Sequence, residues 1–259
     1  ALSGPFQMLG QEHDLTVGLS RRELDYRSGK AWSAFIDKGS NPFEWNPRGH
    51  AKPDYVRGDN GLPETTTQDS FYASTRLRLT EPLSLILGSR LDWYAFEDSA
   101  NSEGNYKVTR NLTRYAGLLY DLDANHSVYV SYTDIFKPQS NKGLERKVIA
   151  PIVGENYEVS IKGEYFDGAL NASMAVFQVD QKNRAQDLPD FKGCGSGPAS
   201  ECSEAAGLVR SKGIDLEIQG ALTDDLQLSA GYTYTQTKYF NDANAAREGE
   251  DFDRANPRQ

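Results

Sequence analysis

Alternation of apolar and polar positions is the dominant pattern along this chain. In the stretch Glu155–Gln186, Tyr157, Val159 and Ile161 fall on one face, and Glu158, Ser160, Lys162 and Glu164 on the other. Asp167-Gly168 follows, a dipeptide that tolerates the positive φ of a tight hairpin turn. A second arm returns from Ala169 to Asn183. Both arms exceed about ten residues, whereas a soluble strand usually has five or six.

The same unit recurs. A first strand tail turns at Gly10, and a strand from His13 to Tyr26 sets Leu15, Val17 and Leu19 against Thr16, Gly18 and Ser20. The strand at 67–80 sets Phe71, Ala73, Thr75, Leu77 and Leu79 against Tyr72, Ser74, Arg76 and Arg78. Beyond Glu81-Pro82 the next strand carries Leu83, Leu85, Leu87 and Leu91 opposite Arg90 and Asp92, and ends in Trp93-Tyr94-Ala95-Phe96. Strands at 106–121 and His126–Phe136 precede the opening hairpin; Ile214, Leu216 and Ile218 alternate with Asp215, Glu217 and Gln219, and a last strand begins at Leu226.

The pattern predicts an all-β, antiparallel architecture of about nine long strands, with short turns at 80–82, 121–125, 167–168 and 222–225 and mostly long connections between them. A β-sandwich has no reason to gather its short turns at one end; a transmembrane β-barrel does, with short periplasmic turns and long extracellular loops. Aromatic residues near strand ends suit its interfacial girdles.

The largest connection, 27–66, contains Pro42, Pro47, Pro53 and Pro63 and is expected to be a loop, as is Asp187–Ala206. Arg76, Arg78, Arg90, Asp92, Glu158, Lys162, Glu164, Asp215 and Glu217 then face the lumen, where charges of both signs require water or a charged partner.

Composition fits this reading. Of 259 residues 38% are hydrophobic, and no apolar run reaches the roughly 18 residues of a membrane helix. Only alternate residues of a barrel strand face lipid, so its hydropathy stays low. A net charge of -9 argues against a nucleic-acid partner. Cys194 and Cys202 share a Gly/Ser-rich loop, spaced for a local disulfide; two free thiols are the alternative, and no third ligand stands near for a metal. The first residues carry no signal-peptide pattern and the last stop in polar sequence, so the chain is expected to be part of a longer barrel protein, without its plug domain and C-terminal strands.

No catalytic constellation is expected: His13, His50 and His126 are scattered, and none shares a motif with a nucleophile or a paired carboxylate. The long connection carries Trp32, Trp45 and Tyr55, and Trp93 and Tyr94 stand at a strand end.

Several segments resemble TonB-dependent ferric-siderophore receptors: 115–122 (YAGLLYDL), 129–139 (YVSYTDIFKPQ), 154–158 (GENYE), 162–173 (KGEYFDGALNAS), 213–217 (GIDLE) and 228–235 (LSAGYTYT). Leu2–Phe6 and Asn41–Trp45 are similar to the subgroup for pyoverdine, coprogen and related hydroxamates. The resemblance implies an outer-membrane barrel of about 22 strands around an N-terminal plug. It also implies import of ferric siderophore with energy relayed through TonB, contact with outer-membrane lipid and lipopolysaccharide, and no intrinsic cofactor. For the bulky, polar and partly aromatic ligand it implies, the candidate contacts are the aromatic faces of Trp32, Trp45, Tyr55, Trp93 and Tyr94. The alternatives are a soluble carbohydrate-binding or adhesive β-module, or a receptor for haem, cobalamin or a glycan.

Overall fold

In a computed structural model of the chain, the described residues are 1–27, 29–32, 56–60, 63–99, 102–194, 200–223, 225–242 and 248–251. Twelve strands follow in order: β1 (Leu2–Met8), β2 (Gln11–Tyr26), β3 (Gly29–Trp32), β4 (Val56–Asn60), β5 (Glu64–Arg78) and β6 (Leu83–Asp98). A 3₁₀ turn at Ser102–Gly104 leads to β7 (Tyr106–Asp121), β8 (His126–Lys137), β9 (Ile152–Tyr165), β10 (Leu170–Lys192), β11 (Glu201–Thr223) and β12 (Leu226–Asn241).

Ten of these make one antiparallel sheet in the order β1-β2-β5-β6-β7-β8-β9-β10-β11-β12, and β3 pairs with β4 as a separate ribbon. The sheet thus has ten strands rather than nine, because Leu2–Met8 is a full partner of β2. The connection expected to be a loop at 27–66 holds the β3–β4 ribbon, and β5 begins earlier, at Glu64.

The loop expected at Asp187–Ala206 is largely strand: β10 runs on to Lys192 and β11 starts at Glu201. Register shifts between Gln181 and Arg184 and again between Leu188 and Lys192 break the alternation there, so period two hides the strand. Pro189, which has no N–H to give, lies inside the second shift.

Register carries the two faces across the sheet. One row runs Leu77, Leu85, Leu118, Val130, Val159, Val176, Ile214, Tyr234, each residue paired with the next. The adjacent row runs Arg76, Ile86, Gly117, Ser131, Glu158, Phe177, Gly213, Thr235 on the opposite face. Burial is inverted relative to a soluble protein. Val130 and Val159 are 51% and 45% exposed, whereas Ser70, Asp92 and Ser160 are 4%, 3% and 3% exposed. An apolar face left open and a polar face turned inward suit a wall with lipid outside and a hydrated interior.

The apolar band crosses the register rows obliquely. It reaches Trp93 on β6 and Leu112 on β7, but stops at Tyr157 on β9 and at Tyr234 on β12. Strands tilted to the barrel axis produce this offset. Short turns join β1 to β2, β5 to β6, β7 to β8, β9 to β10 and β11 to β12, all at one end of the meander. At the β9–β10 turn Phe166, Asp167 and Gly168 have φ of 56°, 54° and 85°, so the left-handed stretch begins one residue before Asp167-Gly168.

Candidate functional site

The inner wall of β5 and β6 is built around one carboxylate. Period two brings Gln68 and Ser70 of β5 to the face of Arg90 and Asp92 of β6, and the register sets Ser70 opposite Asp92. Asp92 Oδ1 accepts from Gln68 Nε2 at 2.8 Å, Ser70 Oγ at 2.7 Å and Arg90 Nε at 2.9 Å. Arg90 Nη2 also donates to Ser70 Oγ at 2.6 Å. Three donors, one of them the Arg90 cation, satisfy a buried charge that would otherwise be costly. The guanidinium is the open end of this nest, with Arg90 40% exposed against 4% for Asp92.

Toward the long connections the same wall becomes aromatic. Tyr94 pairs with Gln68 and so shares the inner face. Its ring centroid lies 5.7 Å from that of Tyr106, which stands 5.7 Å from Phe96. A bulge next to Asp92, with one extra residue on β7 and Arg110 at φ 57°, turns β7 at this point.

Trp93 points the other way. It pairs with Asp69 on the outer face and is 38% exposed, so the two adjacent candidates lie on opposite sides of the sheet. In the ribbon, Trp32 is paired with Val56 through the backbone. Trp45 and Tyr55 lie outside the described residues.

Farther round, Tyr129 donates to Glu158 and Lys162 stands 5.2 Å from the Tyr129 ring centroid, an inward-facing polar cluster. Toward the short turns the inner wall opens into a cavity of about 750 Å³ lined by Asp121, Ser127, Lys162, Glu164, Ser173 and Glu217.

The outer ends of β10 and β11 are braced. Cys194 and Cys202 form a disulfide across eight positions, with their Cα atoms 4.9 Å apart. The connection between β8 and β9 fastens onto this hairpin: Gln139 Nε2 donates to Asn183 O at 2.8 Å, and Ser203 N donates to Lys142 O at 2.9 Å. Glu155 accepts from Lys182 Nζ at 2.9 Å on the outer face.

In the β7–β8 turn, Asp123 accepts from the backbone N–H groups of Asn125 and His126, each at 2.8 Å, and contacts His126 Nδ1 at 3.0 Å. The Asn125 N–H foremost, then the His126 ring, hold the Asp123 carboxyl below its usual pKa.

Sequence reasoning found Asp92 and Arg90 as inward charges but not their nest. The signal was present, since Gln68 and Ser70 share the face of Tyr72 and Arg76. The ring contact of Tyr106 with Tyr94 depends on the bulge, which alternation does not reveal. Among the described residues no three His, Cys, Asp or Glu side chains group as metal ligands.

Along residues 1–259 the chain matches the family model described as TonB dependent receptor-like, beta-barrel. The chain belongs to this family.

Among curated relatives of this TonB-dependent receptor barrel, the ferric-pyoverdine M114 receptor PbuA of Pseudomonas sp. (strain M114) is 36% identical over 262 residues, covering 96% of the chain and 31% of PbuA. The crystal structure of the ferripyoverdine receptor of the outer membrane of Pseudomonas aeruginosa, bound to ferripyoverdine, superposes with a TM-score of 0.72 at 31% identity. It covers 92% of the chain and 32% of that receptor. The alcaligin outer-membrane receptor FauA of Bordetella pertussis gives 0.71 at 29% identity, covering 92% and 37%. The chain thus spans about a third of the length of the proteins it matches. The family is one of receptors rather than enzymes, and the solved receptors that the chain resembles are proteins of the outer membrane.

Proposed function

We propose that this chain forms one arc of an outer-membrane receptor that binds a ferric siderophore of the pyoverdine type and imports it with energy relayed through TonB. The observation that carries this reading is the inner wall, where a buried Asp92, its Oδ1 taking three donors, rises into the Tyr94–Tyr106–Phe96 cluster. Such a wall can hold a bulky, polar, partly aromatic complex by ring faces and hydrogen bonds, with no covalent step. Four relatives that match over at least 90% of the chain are named as ferric-pyoverdine or ferripyoverdine receptors.

In this reading Tyr94 joins Trp32, Trp45 and Tyr55 as ligand contacts, while Trp93 belongs to the interfacial girdle of the outer face. The Arg90 guanidinium draws an anionic chelate down the wall or pairs with a carboxylate of a plug domain. The inward charges of β9 and β11, Glu158, Lys162, Glu164, Asp215 and Glu217, face that plug across water. TonB acts through parts of the whole receptor other than this arc.

The test uses the full-length receptor in an iron-starved strain without receptors of its own, following uptake of radiolabelled iron as a panel of ferric siderophores, with and without TonB. TonB-dependent uptake of a pyoverdine-type chelate is expected, with Tyr94→Ala and Trp45→Ala each weakening it. Absence of uptake of every chelate by a receptor present in the outer membrane would transfer the proposal to haem, cobalamin or a glycan.

A further inference from the structure

Toward the long connections two neighbouring strands part. β7 and β8 pair from Asp121 opposite Ser127 to Tyr115 opposite Thr133 and no farther, although β7 begins at Tyr106 and β8 runs to Lys137. Over the same stretch β7 stays paired with β6 as far as Phe96 opposite Tyr106, and β8 with β9 as far as Lys137 opposite Ile152. Among the described residues 106–114 is therefore a strand edge inside the wall, open on the β8 side. Barrels ordinarily close every edge, because unpaired N–H and C=O groups are a template for another strand.

Asp134 ends the ladder. Its Oδ2 accepts from Arg114 N at 3.0 Å and from Arg114 Nε at 2.8 Å, so a side chain takes the N–H that a β8 carbonyl would otherwise hold. Bonding direction alternates along a strand, so the Leu112 N–H and C=O face the same open side. Beyond them the bulge turns the strand at Arg110, whose φ is 57°. The upper part of β10, two strands on from β8, is by contrast covered by the 138–151 connection, through Gln139 Nε2 to Asn183 O and Ser203 N to Lys142 O.

The open edge is basic in a chain of net charge -9: 106–114 holds Lys107, Arg110 and Arg114 and no acidic residue, and Lys137 ends β8, the strand it faces. Lys107 pairs with Glu97 and Arg114 with Asp134, whereas the exposed Arg110 and Lys137 form no ion pair among the described residues. We propose that this edge docks an extended, acidic peptide segment of an extracellular protein partner, added to β7 as a further strand. The main chain of the peptide bonds to the open N–H and C=O groups, and its carboxylates meet Arg110 and Lys137. The edge lies on the side of the long connections, hence outside the cell. A second copy would set the same positive charges against each other, and an acyl chain offers no acceptor to an open N–H. The site does not depend on which chelate the receptor imports.

The test combines amide hydrogen exchange with fluorescence anisotropy on the full-length receptor in detergent, using a labelled peptide of alternating Glu and Val. In the free receptor the Leu112 amide is expected to exchange at least about tenfold faster than the Thr113 amide, which faces β6. The Glu/Val peptide binds and slows the Leu112 amide. A Lys/Val counterpart, and a Glu/Val peptide N-methylated at alternate residues, each bind at least about tenfold more weakly. Arg110→Asn suits the left-handed φ of the bulge and is expected to lower affinity about threefold, the loss of one exposed ion pair. Leu112→Pro removes an open-side N–H and abolishes binding while the receptor keeps its folded migration on unboiled gels. If Leu112→Pro fails to fold, the N-methylated peptide decides. Slow exchange at Leu112 in the free receptor would mean that the receptor itself already holds the edge, and overturns the proposal. No binding of the Glu/Val peptide, or equal binding of the N-methylated or Lys/Val peptide, overturns it as well.

Discussion

Arg210 clasps Asp180 with both sides of its guanidinium, Nε to Oδ1 and Nη2 to Oδ2, each at 2.6 Å. The carboxylate is 7% exposed, and the Arg210 guanidinium lies 4.7 Å from the Phe240 ring centroid. One side chain thereby ties β10, β11 and β12 together above the apolar band.

Removing one partner of such a pair leaves the other buried and uncompensated. Arg210→Ala is expected to destabilise the receptor by about 3 kcal/mol, and Arg210→Lys by less, since it keeps the charge and loses the fork. Guanidinium unfolding of the full-length receptor in detergent measures both. Equal stability of the Ala variant and the unmodified receptor would show that the clasp contributes nothing.

Glycines of the sheet separate into locks and spacers. A Cβ on Gly213 would lie 2.3 Å from Tyr234 O and 2.5 Å from the Phe177 ring, and the oxygen belongs to the paired backbone of β12. Gly213→Ala is expected to cost about 2 kcal/mol through displaced pairing. At Gly231 the nearest atom is Leu216 O at 3.8 Å, so Gly231→Ala is expected to be neutral or slightly stabilising. The two midpoints in one denaturant series test the contrast.

Protonation of Asp123 is expected to loosen the β7–β8 turn. Its folded pKa lies below the unfolded value, so the stability it contributes is complete above the ordinary Asp range and is lost as pH falls through the folded value. Thermal unfolding from pH 6 down to pH 2 should therefore show unmodified receptor and Asp123→Ala converging at the acid end. A gap that widens with acid would reverse the assignment.

Reduction should open the braced tip of β10 and β11. Closing a loop of this size is worth about 2.5 kcal/mol by chain entropy, local to the hairpin end. Cys194→Ser with Cys202→Ser is expected to speed proteolysis between Lys192 and Glu201 while leaving the rest of the sheet folded. Limited proteolysis followed by mass spectrometry reads the difference.

Alternation made most of the sheet legible, because a lipid-facing Leu85 or Val159 and a lumen-facing Arg90 or Glu158 leave period two in the sequence itself. β7 was readable to the residue, Tyr106 to Asp121, since a turn bounds one end and a short connection the other. The outer half of β10 was not, because its bulges shift the phase and nothing apolar marks a strand with no lipid beside it. The site was legible only in part. Asp92 announces a charge on the inner face, but its three donors come from a register that only pairing reveals. The split between Trp93 and Tyr94 follows from parity alone and could have been read from Leu91 and Asp92.

The ten-stranded sheet is a meander in which each strand pairs with its predecessor in chain order, apart from the ribbon set between β2 and β5. Such a sheet can be laid down one hairpin at a time, with no strand waiting for a distant partner. Each arriving hairpin needs only its neighbour as a template. The burden of assembly then falls on cargo rather than on pairing: the connections after β2, β6, β8 and β10 must be carried through the bilayer, while the short turns stay on the side from which the chain arrives.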